Sequence, residues 1–313
     1  MISPAMAVPL WCAGILLLLF TSLPASAATA AEGQDKFDTL EAIIKAGGDF
    51  MGADTCADCH EDYAEHVNHR DECETCHAAG EAHVELMMED ETDTGPLISF
   101  YGDNMPPAAV RNAVCMNCHR GDSLMHWRSS AHESDDIACT DCHTVHRPGL
   151  VMERTTQAEV CYRCHKDIRA KTFQASTHPI REGKVICSDC HSPHGALGPA
   201  ELSQMSINDN CFICHADKRG PFLWEHYPVT EDCTLCHRVH GSNHPALLTK
   251  QGPQLCQQCH ADIGRAGRSH PRRFFDFDNP DKKRDRFIVG MNCANCHSQV
   301  HGSNHPSGVN LLR

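Results

Sequence analysis

The stretch "CTLCHRVHGSNHP" occupies residues 233–245, and "CANCHSQVHGSNHP" nearly repeats it at residues 293–306. Each stretch begins with two cysteines separated by two residues and followed directly by a histidine, and another histidine comes shortly after. The Cys-x-x-Cys-His unit occurs ten times, and the copies, numbered here as motifs 1 to 10, begin at Cys56, Cys73, Cys115, Cys139, Cys161, Cys187, Cys211, Cys233, Cys256 and Cys293. These units use twenty of the twenty-one cysteines, the exception being Cys12.

This unit is the attachment signature of c-type haem. Its two thiols can reach the two vinyl groups on one porphyrin edge, and the adjacent histidine can then bind the iron from below. Ten units therefore predict ten covalently attached haem c groups. The predicted thioether residues are Cys56, Cys59, Cys73, Cys76, Cys115, Cys118, Cys139, Cys142, Cys161, Cys164, Cys187, Cys190, Cys211, Cys214, Cys233, Cys236, Cys256, Cys259, Cys293 and Cys296.

Two other uses of paired cysteines fit less well. Zinc sites combine two pairs into four ligands and do not need a histidine after every pair. Disulfide bonds within Cys-x-x-Cys would close very small loops, which stabilise little.

The motifs themselves provide one axial iron ligand for each haem. The proximal candidates are His60, His77, His119, His143, His165, His191, His215, His237, His260 and His297. If the motifs are taken in successive pairs, each pair also has one histidine between its motifs and one after its second motif. The distal candidates are the intervening His66, His132, His178, His226 and His270 and the trailing His83, His146, His194, His240 and His301.

Four histidines are left over: His69, His126, His244 and His305. His66, His132 and His226 each lie seven residues before the next motif. This register favours His66 over His69 and His132 over His126, and His69 stays open as an alternative to His66. We expect the four spare histidines at the surface or near haem propionates.

The trailing histidines cannot bind the haem of their own motif. In CTDCHTVH, CSDCHSPH and CTLCHRVH, the second histidine follows the first by three positions, so their Cα atoms are at most roughly 10 Å apart. Two histidines on opposite faces of one iron need roughly 12 Å between their Cα atoms, allowing about 6 Å for each side chain and metal bond. His146, His194 and His240 are therefore predicted to reach neighbouring irons. This would keep successive irons within about 22 Å of each other.

Composition predicts an unusual interior. Aromatic residues make up only 6% of the 313 residues, and fewer than thirty residues would serve each haem after removal of a leader. We therefore expect the haems to replace the usual side-chain core, in an elongated and mostly irregular multihaem cytochrome c fold with short α-helices and almost no β-structure. From Cys115 to Cys256 successive motifs start 22 to 26 residues apart, which predicts a regular array over residues 115–260.

The N-terminal 27 residues have the pattern of an export signal. Apolar residues run from Leu10 to Phe20, and small residues precede a cleavage site placed after Ala27. Eleven firmly apolar residues are too few for a membrane anchor. We therefore expect a signal peptide at 1–27 and a single domain of five dihaem repeats at 28–313.

Charge is distributed unevenly along the chain. The net charge is −14, and residues 31–110 contain twenty acidic residues against three basic ones. This balance does not support nucleic-acid binding. Two segments lie outside the regular array. Residues 81–112 are predicted as an excursion over the surface, and residues 265–289 as a basic insertion. A partner contact stays open for either segment, and a solvated loop is the default expectation for both.

The motif number, the CTDCHTVH and CSDCHSPHG arrangements and the Ser130-Ala131-His132 stretch resemble the MtrA/DmsE-type periplasmic decahaem cytochromes over residues 50–313. This resemblance implies an electron-transfer protein and not an enzyme, with bis-histidine haems, located in the periplasm and associated with the outer membrane. The implied partners are an outer-membrane β-barrel porin, an outer-surface multihaem cytochrome or terminal reductase, and periplasmic or inner-membrane cytochromes. Such a protein would carry electrons between periplasmic carriers and the cell exterior.

Two other functions stay open from the residues. A multihaem reductase of the nitrite or sulfur-oxyanion type would need an open iron position, whereas ten distal candidates are available here. A freely diffusing periplasmic electron shuttle would have the same haems and no porin. The direction of electron flow, the haem potentials and the terminal donor or acceptor do not follow from the sequence.

Overall fold

The computed structural model describes residues 39–63, 72–89, 95–103, 105–147, 149–260 and 291–313. All of them lie in one compact unit, Phe37–Arg313. The predicted signal peptide, His66, His69, His270 and the basic insertion lie outside the described residues.

The helices of the described residues are short, and none of the α-helices exceeds nine residues. The α-helices are α1 (Leu40–Gly47), α2 (Ala53–Ala57), α3 (Glu74–His77), α4 (Glu81–Glu89), α5 (Ala108–Met116), α6 (Ala131–Ser134), α7 (Cys139–Cys142), α8 (Gln157–Tyr162), α9 (Lys166–Thr172), α10 (Ile207–Phe212), α11 (Tyr227–Glu231) and α12 (Gln254–Gln257). The 3-10 helices are Glu61–Tyr63, Asp122–Leu124, Leu150–Met152, Cys187–Asp189, Pro199–Glu201, Ala216–Lys218, Cys233–Leu235, Pro245–Leu247, Cys293–Asn295 and Gly308–Asn310.

Extended pairing in the described ranges is limited to four isolated bridges, without a strand or sheet. The bridges join Ser176 to Ser242, His191 to Leu202, Trp224 to Ser303 and His237 to Leu248. The predicted irregular, short-helical fold is therefore confirmed.

Every motif forms the same single helical turn. In all ten, the backbone N–H of the motif histidine donates to the carbonyl of the motif's first cysteine, at 2.8–3.0 Å. This i to i−4 bond is the α-helical bond. It places both cysteines and the histidine on one turn of backbone, which is the local geometry that the haem attachment signature needs.

Odd and even motifs are built differently around this common turn. The first cysteine of each odd motif lies in or at the end of an α-helix, as Cys115 does in α5 and Cys161 in α8. The even motifs instead begin a new turn, either a short α-helix such as α7 or a 3-10 helix such as Cys187–Asp189. An odd motif thus ends a helix, and the next motif starts one.

Buried amide side chains connect the two motifs of three pairs. The Asn112 Oδ1 atom accepts from the backbone N–H of Cys139 at 2.7 Å, and Asn208 Oδ1 accepts from that of Cys233 at 2.8 Å. In the pair between them, Gln157 Oε1 accepts from the backbone N–H of Ser188 at 3.1 Å. The amides are 6–9% exposed. Because the bonded N–H groups lie at the start of the even-motif turns, where helices have no internal partner, these bonds also cap those turns.

The N-terminal part contains a small side-chain core that the sequence analysis did not predict. Ile43 of α1, Ala78, Ile98 and Val110 and Val114 of α5 form one buried hydrophobic cluster. Ile98 is only 1% exposed, and its backbone N–H donates to the His77 carbonyl. The prediction of a surface excursion at 81–112 is therefore wrong for Ile98, Ala108 and Val110, because their apolar side chains are removed from water.

Candidate haem-binding site

Within each pair of motifs, the two leading cysteines are neighbours. Hydrogen bonding to Cys139 and burial raise the pKa of the Cys115 thiol. The same causes, with Cys187 as the partner, raise the pKa of Cys161. In the other three pairs, burial and the neighbouring thiol raise the pKa of the leading cysteine to about 11; these pairs are Cys56 with Cys73, Cys211 with Cys233 and Cys256 with Cys293.

The second cysteine of an even motif lies near the motif that follows. Burial raises the pKa of the Cys76 thiol, and Cys115 and Cys118 raise it further. The same relationship joins Cys142 to Cys164, Cys190 to Cys211 and Cys214, and Cys236 to Cys259. With the contacts inside the pairs, motifs 1 to 10 form one uninterrupted series of neighbours in sequence order.

Eight motif histidines face a second histidine at nearly constant distance, with ring centroids 5.9–6.3 Å apart. The facing pairs are His60 with His83, His77 with His146, His143 with His194, His165 with His132, His191 with His240, His215 with His178, His237 with His301 and His260 with His226. Two rings bound end-on to one metal would be roughly 6 Å apart, since each metal–nitrogen bond is about 2 Å and the nitrogen lies about 1 Å from the ring centre. Each pair combines one proximal and one distal candidate, so the spacing is that of an axial ligand pair.

The trailing histidines face rings of other motifs, as the tether length requires. However, His146, His194 and His240 each face the histidine two motifs earlier, so the prediction that they link successive irons is wrong, and the bound of about 22 Å applies to alternate irons. His146 faces His77 rather than His143, and His143 faces His194. His132, and not its neighbour His126, is the ring that lies opposite His165, at 6.1 Å.

The other two proximal candidates are His119 and His297. The candidates left for them, His66 and His270, lie outside the described residues.

Apart from His60 and His83, the facing rings come from different motif pairs, a feature that motif spacing does not show. His132 lies between motifs 3 and 4 but faces the histidine of motif 5, and His178 and His226 follow the same rule one pair later each time. The trailing His194 follows motif 6 and faces the histidine of motif 4. The three middle pairs of motifs therefore contribute candidate distal rings to their neighbours on both sides.

Backbone carbonyls hold the same ring nitrogen of seven candidate ligands. The Nδ1 atoms of His77, His191, His237 and His297 lie 2.6–3.0 Å from the carbonyl oxygens of Ile98, Ala200, Ala246 and Asn310. Those of His132, His178 and His226 lie 2.8–3.0 Å from the carbonyls of Pro193, Val239 and Val300. A carbonyl only accepts, so Nδ1 carries the proton and donates, which leaves the Nε2 lone pair to bind a metal.

Two of these carbonyls belong to an unusual backbone turn. Ala200 and Ala246 have φ values of 51° and 54°, and the next residues, Glu201 and Leu247, are also left-handed. Non-glycine residues seldom adopt this conformation. The turn follows an even motif in both cases and aims its carbonyl at that motif's histidine. Sequence reasoning missed it, although the shared Pro-Ala at 199–200 and 245–246 was the available signal.

Burial keeps several distal candidates neutral. Removal from water lowers the pKa of His194, His240 and His301, and the pKa of the motif residue His143 is lowered for the same reason. A neutral imidazole is the form that binds metal. Their environment therefore suits axial ligation at neutral pH.

A cavity of about 4310 Å³ extends along motifs 3 to 10, with a lining that reaches from Tyr101 to Leu312. A pocket for one small molecule measures roughly 300–1,000 Å³, so this space can accept several large groups. Thiols from all eight motifs and the facing imidazoles line it, together with apolar side chains such as Val160 and Ile168. These residues fit covalently bound haem: the cysteines would form thioethers, and the histidines would hold the iron, which supplies the reversible one-electron chemistry.

These features define a multihaem c-type cytochrome. Three segments, 131–170, 178–220 and 226–265, match the family described as Doubled CXXCH motif. The chain is also 40% identical over 243 residues to "Multiheme cytochrome MtrA" of Shewanella baltica (strain OS185), an alignment that covers 77% of this chain and 71% of the relative. The chain belongs to the MtrA family of multihaem cytochromes.

Membership makes the chain an electron-transfer protein with covalently bound haem c, rather than an enzyme. The matched doubled motifs begin at or just before His132, His178 and His226, so the repeat unit includes the intervening histidine. Among the described helices, none has the length and apolar character to cross a bilayer.

Proposed function

We propose that this chain binds ten haem c groups, all with two histidine ligands, and conducts electrons along them in sequence order. The twenty motif cysteines would hold the haems and the ten motif histidines would be the proximal ligands. The distal ligands would be the facing histidines described above, with His66 for motif 3 and His270 for motif 10.

The uninterrupted series of motif neighbours is the observation that supports this function. Each motif lies beside the next one through its cysteines, from Cys56 near Cys73 to Cys256 near Cys293. Because the cysteines attach the porphyrin edges, neighbouring thiols would bring neighbouring haem edges together. Electron tunnelling weakens exponentially with the gap between donor and acceptor, so short gaps favour rapid transfer through all ten haems.

We further propose that the protein works in the periplasm, within an outer-membrane porin, and joins periplasmic or inner-membrane cytochromes to an outer-surface cytochrome or terminal reductase. At successive spacings of about half the 22 Å bound on alternate irons, ten irons in file would exceed the roughly 40–45 Å of a bilayer with its headgroups. The leader predicted at 1–27 supports export, and the family relationship supports the conduit. Outside acceptors such as metal oxides or dimethyl sulfoxide, and electron uptake from ferrous iron, are all consistent with this arrangement.

Reconstitution tests the proposal. The holoprotein and its candidate porin are inserted into liposomes that enclose a redox dye, and a membrane-impermeant reductant is added outside. The conduit predicts rapid reduction of the dye only when both proteins are present. Failure to associate with the porin, together with normal reduction of the protein in solution, would instead identify a diffusing shuttle.

The number and ligation of the haems are tested separately. Pyridine haemochrome analysis is expected to give ten haems per chain, and electron paramagnetic resonance is expected to show low-spin iron throughout. Several high-spin haems would contradict bis-histidine ligation.

A further inference from the structure

The turns that carry three trailing histidines share one construction. They comprise residues 192–195, 238–241 and 299–302. In each turn the last residue is glycine, and its N–H donates to the carbonyl three residues earlier, at 2.9–3.1 Å. The trailing histidine occupies the third position, so His194, His240 and His301 are held by the same four-residue turn.

The backbone carbonyl at the second position of each turn accepts a hydrogen bond from a histidine of another segment. The Pro193 carbonyl accepts from Nδ1 of His132 at 2.8 Å, the Val239 carbonyl from His178 at 2.9 Å, and the Val300 carbonyl from His226 at 3.0 Å. These three histidines face motifs 5, 7 and 9, whereas the trailing histidines of the same turns face motifs 4, 6 and 8. One turn therefore contacts the distal side of two successive haem sites.

The glycine of each turn has no room for a side chain. Gly195, Gly241 and Gly302 have φ values of 99°, 154° and 130°, a region that favours glycine. A Cβ atom on Gly195 would overlap the backbone carbonyl of His126, and one on Gly241 would overlap that of Lys171. Because the obstacles at these two positions are backbone atoms, the turn would have to move.

We propose that each of these turns is a shared clamp that positions the distal ligands of two successive haems, 4 and 5, 6 and 7, or 8 and 9. Gly195, Gly241 and Gly302 are its positioning residues. The clamps fall at the junctions between motif pairs, where the amide bonds from the preceding helix do not reach. This inference rests on the bis-histidine ligation proposed above.

Displacement of a clamp is expected to affect its two haems differently. Displacing the turn would draw His194 away from the iron of haem 4. It would also break the hydrogen bond from His132, and loss of that bond makes an imidazole ligand less basic. A less basic ligand stabilises ferric iron less, so the potential of haem 5 would rise.

The test compares Gly195→Ala with Gly121→Ala in the holoprotein. A Cβ atom at Gly121 meets nothing within 4 Å, which makes it a matched control. Spin quantitation by electron paramagnetic resonance and a spectroelectrochemical titration are recorded for both variants. The clamp predicts that two of the ten haems change in Gly195→Ala, one losing its low-spin signal and one shifting to higher potential, and that none changes in the control.

A change confined to one haem would overturn the shared clamp, since Gly195 would then position only His194. The absence of any change would remove the positioning role as well. High-spin haems in the unsubstituted protein would instead contradict the proposed ligation itself, which separates the two failures.

A second variant covers the case in which Gly195→Ala does not mature. His132→Met retains a ligand atom for haem 5 but removes the donor to Pro193. Because Met/His ligation raises the haem potential, haem 5 is expected to shift upward by itself. The clamp predicts an additional altered signal from haem 4, and an unchanged haem 4 would overturn it.

Discussion

The ring of His194 lies opposite the ring of His143, with the centroids 5.9 Å apart and the planes 24° from parallel. The histidine that follows His143 by three residues, His146, lies instead opposite His77. Candidate distal histidines thus lie opposite motifs of another pair, which interlocks the repeats. This relationship makes the trailing histidine the most direct target for substitution.

His240→Ala is expected to convert one haem from low-spin to high-spin, because His240 is the ring opposite His191 at 6.0 Å. Electron paramagnetic resonance of the oxidised protein measures this directly. The matched control is His244→Ala, four residues later in the same HGSNHP sequence, which is expected to leave all haems low-spin. Equal spectra for the two variants would show that His240 is not a ligand.

Replacing both cysteines of motif 4, Cys139→Ala with Cys142→Ala, is expected to reduce the haem count by one and to interrupt the series of neighbours at its fourth member. Mass spectrometry measures the haem number, and the liposome assay described above measures conduction. Transfer across the membrane should fall by orders of magnitude, since tunnelling would have to cross two gaps in one step. Undiminished transfer would contradict conduction in sequence order.

Asn208→Ala is expected to destabilise the protein by about 1–3 kcal/mol, the usual cost of leaving buried polar groups without partners. The substitution removes the acceptor of the Cys233 N–H and the donor to the carbonyls of Val229 and Thr230. Guanidinium unfolding of the holoprotein, followed by the haem absorbance, gives the free energy of unfolding.

The control for Asn208→Ala is Asn243→Ala, because Asn243 is exposed. This substitution is expected to change the free energy of unfolding by no more than about 0.5 kcal/mol. A loss at Asn208 as small as that at Asn243 would show that the amide does not stabilise the motif pair.

Arg154→Gln is expected to cause a small loss of stability that disappears in acid. Two guanidinium nitrogens of Arg154 bind the carboxylate of Asp189, at 2.7 and 3.1 Å, and hold the pKa of Asp189 below its usual value. A lowered carboxyl pKa stabilises the folded state above the unfolded pKa, which is about 3.9 for aspartate. This contribution is lost as the pH falls through the lower, folded pKa.

Unfolding of wild type and Arg154→Gln between pH 7 and pH 2.5 checks this dependence. The unfolding midpoints of the two proteins should differ at neutral pH and converge in acid. A difference that persists at pH 2.5 would show that the loss of stability comes from the hydrogen bonds that Arg154 donates to the carbonyls of Gly183 and Lys184.

The sequence was most informative about chemistry within a few residues. Motif spacing predicted haem attachment and the short-helical fold, and the tether argument correctly excluded pairing of His143 with His146 because three residues cannot span an iron. Glycines after the trailing histidines correctly indicated turns at Gly195, Gly241 and Gly302. Each of these inferences depends on bond lengths and allowed backbone angles, which are local properties.

Longer-range features did not follow from spacing. The cluster around Ile43 and Ile98, the amide links of Asn112 and Asn208, and the left-handed turns at Ala200 and Ala246 were all missed. They depend on which segments approach each other after the chain has folded. The position of His132 in the sequence does not show whether its ring lies at the site of haem 4 or of haem 5. The segments that connect it to motifs 4 and 5 are long enough for either arrangement.

The primary structure was thus sufficient to predict the cofactor, its attachment residues and the impossibility of self-ligation, since these predictions follow from covalent geometry over three to five residues. The partner of each distal histidine, the order in which motifs become neighbours and the double use of the turns required the folded chain. Those relationships arise from packing between segments that lie far apart along the chain, and local geometry places no limit on such contacts.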